Sequence, residues 1–195
     1  MEILNELFGE ARVKTMRLFL SNPDIALPQK DVATKTKIPA IQVKKELNTL
    51  KKIGFLKQKS LAVNKKKVNA YQLNPDFPLL NGLKNILLTK KIFTKQTLAR
   101  RFKDAGRVKL VITSGAFIHE DGSRVDLFVV GDGLRPSRID SLVKNLEAEL
   151  GRELKYAICD TGDFMYRLNA YDRFIRDILD YPHEVVLDKV GLDTV

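Results

Sequence analysis

At Gly54 the apolar residues of this chain change their spacing, from the three-and-four intervals of a helix to short runs of strand type. Before it, Val43, Leu47 and Leu50 form one stripe of AIQVKKELNTLKKIG, and Gly54 suits the helix end, where a positive φ is needed. After it, Phe55-Leu56-Lys57-Gln58 and the run from Val68 to Leu73 are separated by Asn64-Lys65-Lys66-Lys67, which predicts a hairpin with a basic tip. Upstream, Val13, Met16, Leu18, Phe19 and Leu20 crowd one side of a helix over residues 10–20 that Ser21-Asn22-Pro23-Asp24 stops. Pro28 opens a second helix to about Lys35, with Val32 and Ala33 inward, and Lys37-Ile38-Pro39 makes the turn into the third.

Three helices followed by a hairpin fit a winged helix-turn-helix. The charge distribution says what such a module would meet. Residues 1–106 carry 22 Lys and Arg against 8 Asp and Glu, and residues 107–195 carry 12 against 16, so a net +14 adjoins a net −4. An excess of that size on one module repels itself, and a polyanion offsets the cost. In the third helix, Ile41, Gln42, Lys44, Lys45, Asn48 and Lys52 lie off the apolar stripe, where they can meet the major groove of double-stranded DNA. Lys65, Lys66 and Lys67 at the hairpin tip supply charge to phosphates without reading sequence. A solvated lysine-rich surface is the bland alternative for any one of them.

Composition narrows the remaining classes. No apolar run approaches the roughly 18 residues of a membrane span, and the opening MEILNELFGEARVK lacks a secretory cleavage site, so a soluble cytoplasmic protein is expected. One cysteine, Cys159, and two histidines, His119 and His183, offer neither an internal disulfide nor a zinc-finger cluster. Cys159 reads as a small buried hydrophobe, His119 with Glu120 and Asp121 as a solvated turn, and Gly131-Asp132-Gly133 as a strand end.

The stretch Leu7–Leu88 resembles the ArsR-like winged-helix domains that bacteria and archaea fuse to a nucleotidyltransferase-like domain. The likeness rests on IPAIQVKKELNTLKKIGFLK and on AYQLNPDFPLLNGLKNIL, where a wing strand passes through Asn-Pro-Asp-Phe-Pro into a helix. It implies a transcriptional regulator, and no metal-sensing cysteine motif accompanies it. The resemblance continues in LVITSGAFIHEDGSRVDLFVVGD, which is similar to the signature of minimal nucleotidyltransferases. That signature has Gly-Ser in a tight turn and Ser-Asp-x-Asp on the next strand, with paired carboxylates holding a divalent metal. Here Ser114 and Gly115 enter the turn, Ala116 stands at the serine, Ser123 precedes Arg124 at the first aspartate, and Asp126 keeps the second. A cation at a ligand position removes a ligand and repels the ion. Asp160 is the candidate for a further carboxylate, and a surface ion pair with Asp121 or Asp126 is the plainer role for Arg124.

The expected architecture is α/β in its parts and α+β overall. It comprises a winged helix-turn-helix over 1–78, a helical connector over 79–106 with seven basic and no acidic residues in its stretch 79–103, and a small nucleotidyltransferase-like α/β domain over 107–195. The latter is expected to run strand 108–113, strand 124–130, helix 136–150, strand 154–159, helix 161–179 and a last strand near 185–187. The expected function is a DNA-binding regulator, without cofactor or metal, acting as a homodimer whose second domain is catalytically degenerate and serves association or ligand sensing, with a nucleotide or another anion as the possible ligand. The alternatives are an active, antitoxin-like nucleotidyltransferase and a module binding RNA or an acidic protein.

Overall fold

The computed structural model describes residues 2–63, 66–88, 93–118, 120 and 122–192. The chain is mixed α+β with two separate sheets and divides into two compact units, residues 1–89 with 145–152 and residues 90–144 with 153–195.

In the first unit, α1 (Glu2–Phe8), a helix that the apolar spacing did not predict, is followed by Gly9 at φ 83° and by α2 (Glu10–Ser21). α2 is buried nearly all round: Val13, Met16, Leu18, Phe19 and Leu20 enter the core as expected, but so do Thr15 and Arg17. The Arg17 guanidinium donates from Nε to the Leu87 carbonyl at 2.7 Å and from Nη1 to the Glu149 carbonyl at 3.3 Å. Burial draws its pKa down, against the carboxylate of Glu149, which favours the charged form. α3 (Gln29–Thr36) and α4 (Ala40–Lys52) follow, joined through Lys37 in a left-handed conformation and Ile38-Pro39.

α4 presents Val43, Leu47 and Leu50 to the core. It ends as its sequence predicts: Gly54 takes φ 82°, its N–H donates to the Lys51 carbonyl, and the Phe55 N–H reaches back to Leu50. The hairpin strands are longer than expected, β2 (Leu56–Val63) and β3 (Lys66–Leu73) running antiparallel with Leu56 opposite Leu73. A short β1 (Leu27–Pro28) adds to β3, giving a three-stranded sheet in the order β1-β3-β2. α5 (Leu80–Leu87) closes this side of the core through Leu87.

The second unit holds α6 (Lys95–Arg101) and a four-stranded sheet in the order β6-β5-β4-β7. Its strands are β4 (Arg107–Ser114), β5 (Leu127–Asp132), β6 (Tyr156–Cys159) and β7 (His183–Asp188), with only the β5/β6 pair parallel. α7 (Pro136–Leu150) starts in this unit, and its last residues belong to the first. Two expectations are corrected. The strand expected from Arg124 begins only at Leu127, where the N–H groups of Asp126 and Leu127 share the Lys155 carbonyl. The single helix expected over 161–179 is two, α8 (Thr161–Asn169) and α9 (Arg173–Asp180). Tyr171 between them sits at φ 54°, and Asp172 caps α9 by accepting from the N–H groups of Phe174 and Ile175. Phe128 and Val130 of β5 pack with Phe164, Ile175 and Ile178 on one face of the sheet. Among the described residues no helix is long and apolar enough to cross a membrane.

Candidate functional site

The inward stripe of α4 decides what its other side can carry. Ile41, Gln42, Lys44, Lys45, Asn48, Lys51 and Lys52 are all exposed, Ile41 at 87%. Ile41, Lys45, Asn48 and Lys52 follow one another at intervals of four, three and four, which sets them along one face. The sole acidic residue of the helix, Glu46, is buried and paired with Arg12 of α2 at 2.8 Å. No carboxylate therefore interrupts the exposed face.

That face runs on into the hairpin. Lys51 donates from Nζ to Gln58 Oε1 of β2, and Lys57, Lys59 and Lys67 are exposed on the strands. Lys57 is partly compensated by Asp76 at 2.8 Å. Sequence reasoning missed Lys51, Lys57 and Lys59, although Lys51 lies off the apolar stripe and the other two sit in the polar run Lys57-Gln58-Lys59-Ser60. Lys65 lies outside the described residues, and of Lys66 only the backbone, paired with Val63, is described.

In the second unit the turn after β4 has a different character. Ser114 is buried and donates from Oγ to the Val125 carbonyl. Gly115 takes φ 51°, and a Cβ there would overlap Asp126 Oδ1 and press on Ser123 at 3.3 Å. This close approach brings the Ala116 N–H to Asp126 Oδ1 at 2.7 Å, while the Lys155 N–H meets Oδ2 at 2.8 Å. Asp126 is 7% exposed, and its backbone adds bonds from Ser114 N–H to its carbonyl and from its own N–H to Lys155. The carboxylate thus fastens the end of β4 to the approaches of β5 and β6.

Arg124 goes elsewhere. Its Nη1 lies 3.3 Å from Asp177 Oδ2 on α9, and its guanidinium is 6.0 Å from the Phe174 ring centroid. An ion pair was the plainer expectation, but the partner is Asp177: Asp126 faces inward, and Asp121 lies outside the described residues, as does His119. The two residues at the metal-ligand spacing therefore share neither a strand nor a face. Asp160 is exposed ahead of α8, and among the described residues no three His, Cys, Asp or Glu side chains gather as metal ligands would.

Cys159 is half-buried rather than fully buried, and its thiol hydrogen-bonds Asp163 Oδ2 at 3.2 Å. Burial, reinforced by that hydrogen bond and by the Asp163 charge, pushes the thiol up to about 12, which leaves it protonated and unreactive at neutral pH. His183 Nδ1 sits 2.8 Å from the Tyr181 carbonyl at the start of β7, bound into its own turn. The chain matches no protein-family model, no curated protein and no solved structure.

Proposed function

We propose that this protein is a DNA-binding regulator of transcription whose first unit is a winged helix-turn-helix, with α4 entering the major groove and the β2–β3 hairpin touching phosphates. The observation that carries this reading is the exposed face of α4. It holds four lysines together with Gln42 and Asn48, its one acidic residue is turned inward to Arg12, and it is joined to the lysine-bearing hairpin through Lys51 and Gln58. Gln and Asn side chains at exposed helix positions have the paired donor and acceptor that read adenine edges, and Ile41 offers an apolar contact to a thymine methyl. Lysines on strand and helix supply the charge that releases counterions from phosphates.

The reading includes two copies on two half-sites, since one such helix reads few base pairs. The apolar side chains that α1 leaves exposed, Ile3 and Leu7, favour association. In the second unit, a nucleotidyltransferase-like domain without the reaction is supported by Asp126, whose oxygens are engaged by backbone N–H groups, and by Arg124, which is paired away from it. Its role is association or ligand sensing in a cytoplasmic regulator.

Selection of bound sequences from random duplex DNA tests the proposal and finds the site together. At the selected site, Gln42→Ala or Asn48→Ala should cost about 1–3 kcal/mol and relax the sequence choice. Replacing Lys65, Lys66 and Lys67 together should weaken binding to all sequences alike, with the log–log salt slope falling by roughly 0.9 for each phosphate no longer neutralised. If helix and hairpin variants behave identically, the assignment of the two elements is wrong.

A further inference from the structure

The second unit carries a concavity at the opposite end of β4 from the Gly115 turn. It measures about 550 Å³ and is lined by Ala99, Arg100, Phe102 and Lys103 of the α6 end, by Gly106 to Lys109, and by Leu187 and Lys189 of the β7 end. Five of these residues are basic and none is acidic. Its apolar lining consists of the half-buried Ala99 and Leu187 together with the buried Phe102 and Val108.

The frame around these cations is fixed by backbone contacts. Gly106 takes φ 123°, and a Cβ on it would strike the Gly133 carbonyl, so the turn before β4 can lie against the turn after β5 only as glycine. A Cβ on Gly131 would likewise strike the Arg107 carbonyl. Register with β5 shifts between Val108 and Leu110, which makes Lys109 the extra residue of a bulge, a device that re-aims a side chain. The Lys189 N–H donates to the Lys109 carbonyl at 2.7 Å, and Asp188 accepts from the N–H groups of Val190, Gly191 and Leu192, so the turn bearing Lys189 is tied down. Lys109 is paired with Asp132 at 3.0 Å, Arg107 shares the field of the same carboxylate, and Arg100, Lys103 and Lys189 complete the cationic lining.

Five cations around one concavity, with Asp132 the counter-charge to two of them, leave an excess that favours a multiply charged anion. A bare polyphosphate answers the rim but leaves the apolar lining uncovered, while duplex DNA is too broad to put a flat apolar body into a concavity of this volume. Ligand pockets for small molecules run from roughly 300 to 1,000 Å³, and this one falls within that range. We propose that this concavity binds a nucleoside polyphosphate, with the base against Ala99 and Leu187 and the phosphates among Arg100, Lys103, Arg107 and Lys189. The site lies about 25 Å from the Gly115 turn by the length of β4. It is therefore separate from Ser114, Gly115 and Asp126, and it stands independently of duplex binding.

Calorimetric titration of the full chain with ATP, GTP and inorganic triphosphate tests it. A nucleoside triphosphate should bind more tightly than inorganic triphosphate. The affinity should fall at least tenfold in Arg107→Ala/Lys189→Ala and in Arg100→Ala, and should be unchanged in Arg124→Ala; these side chains are exposed, so the variants should keep the parent's thermal transition. The proposal is overturned by the absence of nucleotide binding, by binding that ignores the pocket variants, or by equal binding of inorganic triphosphate. It is also overturned if those variants weaken duplex binding alone. A chain that binds nucleotide here but no duplex keeps this inference and loses the reading of α4.

Discussion

Asp126 is a buried carboxylate employed as a fastener. With Oδ1 on the Ala116 N–H and Oδ2 on the Lys155 N–H, it can be replaced by asparagine only by turning an amide NH2 toward one of two backbone donors. Asp126→Asn should therefore lower stability by about 1–3 kcal/mol, the cost of a buried donor left unmet, read from urea unfolding. If the proposed function holds, affinity for duplex DNA should stay as it was. Arg17 is the same device with the sign reversed, a buried cation that collects carbonyls from Leu87 and Glu149. Neither role can be read along the chain. The sequence shows Asp126 two positions from Arg124 but cannot show that Gly115 folds the Ala116 N–H over it, and it shows Arg17 inside an apolar run without the carbonyls 70 and 132 residues away.

Among the elements, α4 was the most legible, because everything that shapes it is local: Pro39 before it, a stripe at helical spacing, and Gly54 after it. A Cβ on Gly54 would meet nothing within 4 Å, so Gly54→Ala isolates the left-handed backbone and should cost about 1–2 kcal/mol in chemical unfolding. The break between α8 and α9 was illegible by the same logic. Ala170-Tyr171-Asp172 has neither Gly nor Pro, and Tyr171 takes its positive φ where residues 161–179 read as one helix. The usable signal was Asp172, a good capping residue. The start of β5 depends on Lys155, 29 residues on, and the expectation failed there. The wide exposure of β2 has its signal in the polar run Lys57-Gln58-Lys59-Ser60, which the denser charge of the hairpin tip overshadows.

For the molecule as a whole, the change of charge near residue 106 was plain in the sequence, whereas the path of the chain was not. Residues 145–152 belong to the first unit: Ser21 and Asn22 bond the Leu150 and Gly151 carbonyls, and Gly151 packs so tightly on α2 that a Cβ would strike the Arg17 backbone. A chain ending at residue 106 lacks these partners, and the Arg17 guanidinium loses the Glu149 carbonyl. Removing a partner of a buried charged group costs about 1–3 kcal/mol or more, so residues 1–106 alone should melt at a clearly lower temperature than the same unit in the full chain, as followed by circular dichroism. A melting temperature equal to the parent's would show the α7 end to be dispensable.

This discontinuity gives the protein a timetable on the ribosome. Helices α2 to α4 and their hairpin leave the exit tunnel early, but the last piece of their own unit is encoded some sixty residues downstream of α5. A nascent chain must hold an unfinished head until residue 152 emerges, and a message cut short before that point yields a less stable head that is more open to proteolysis.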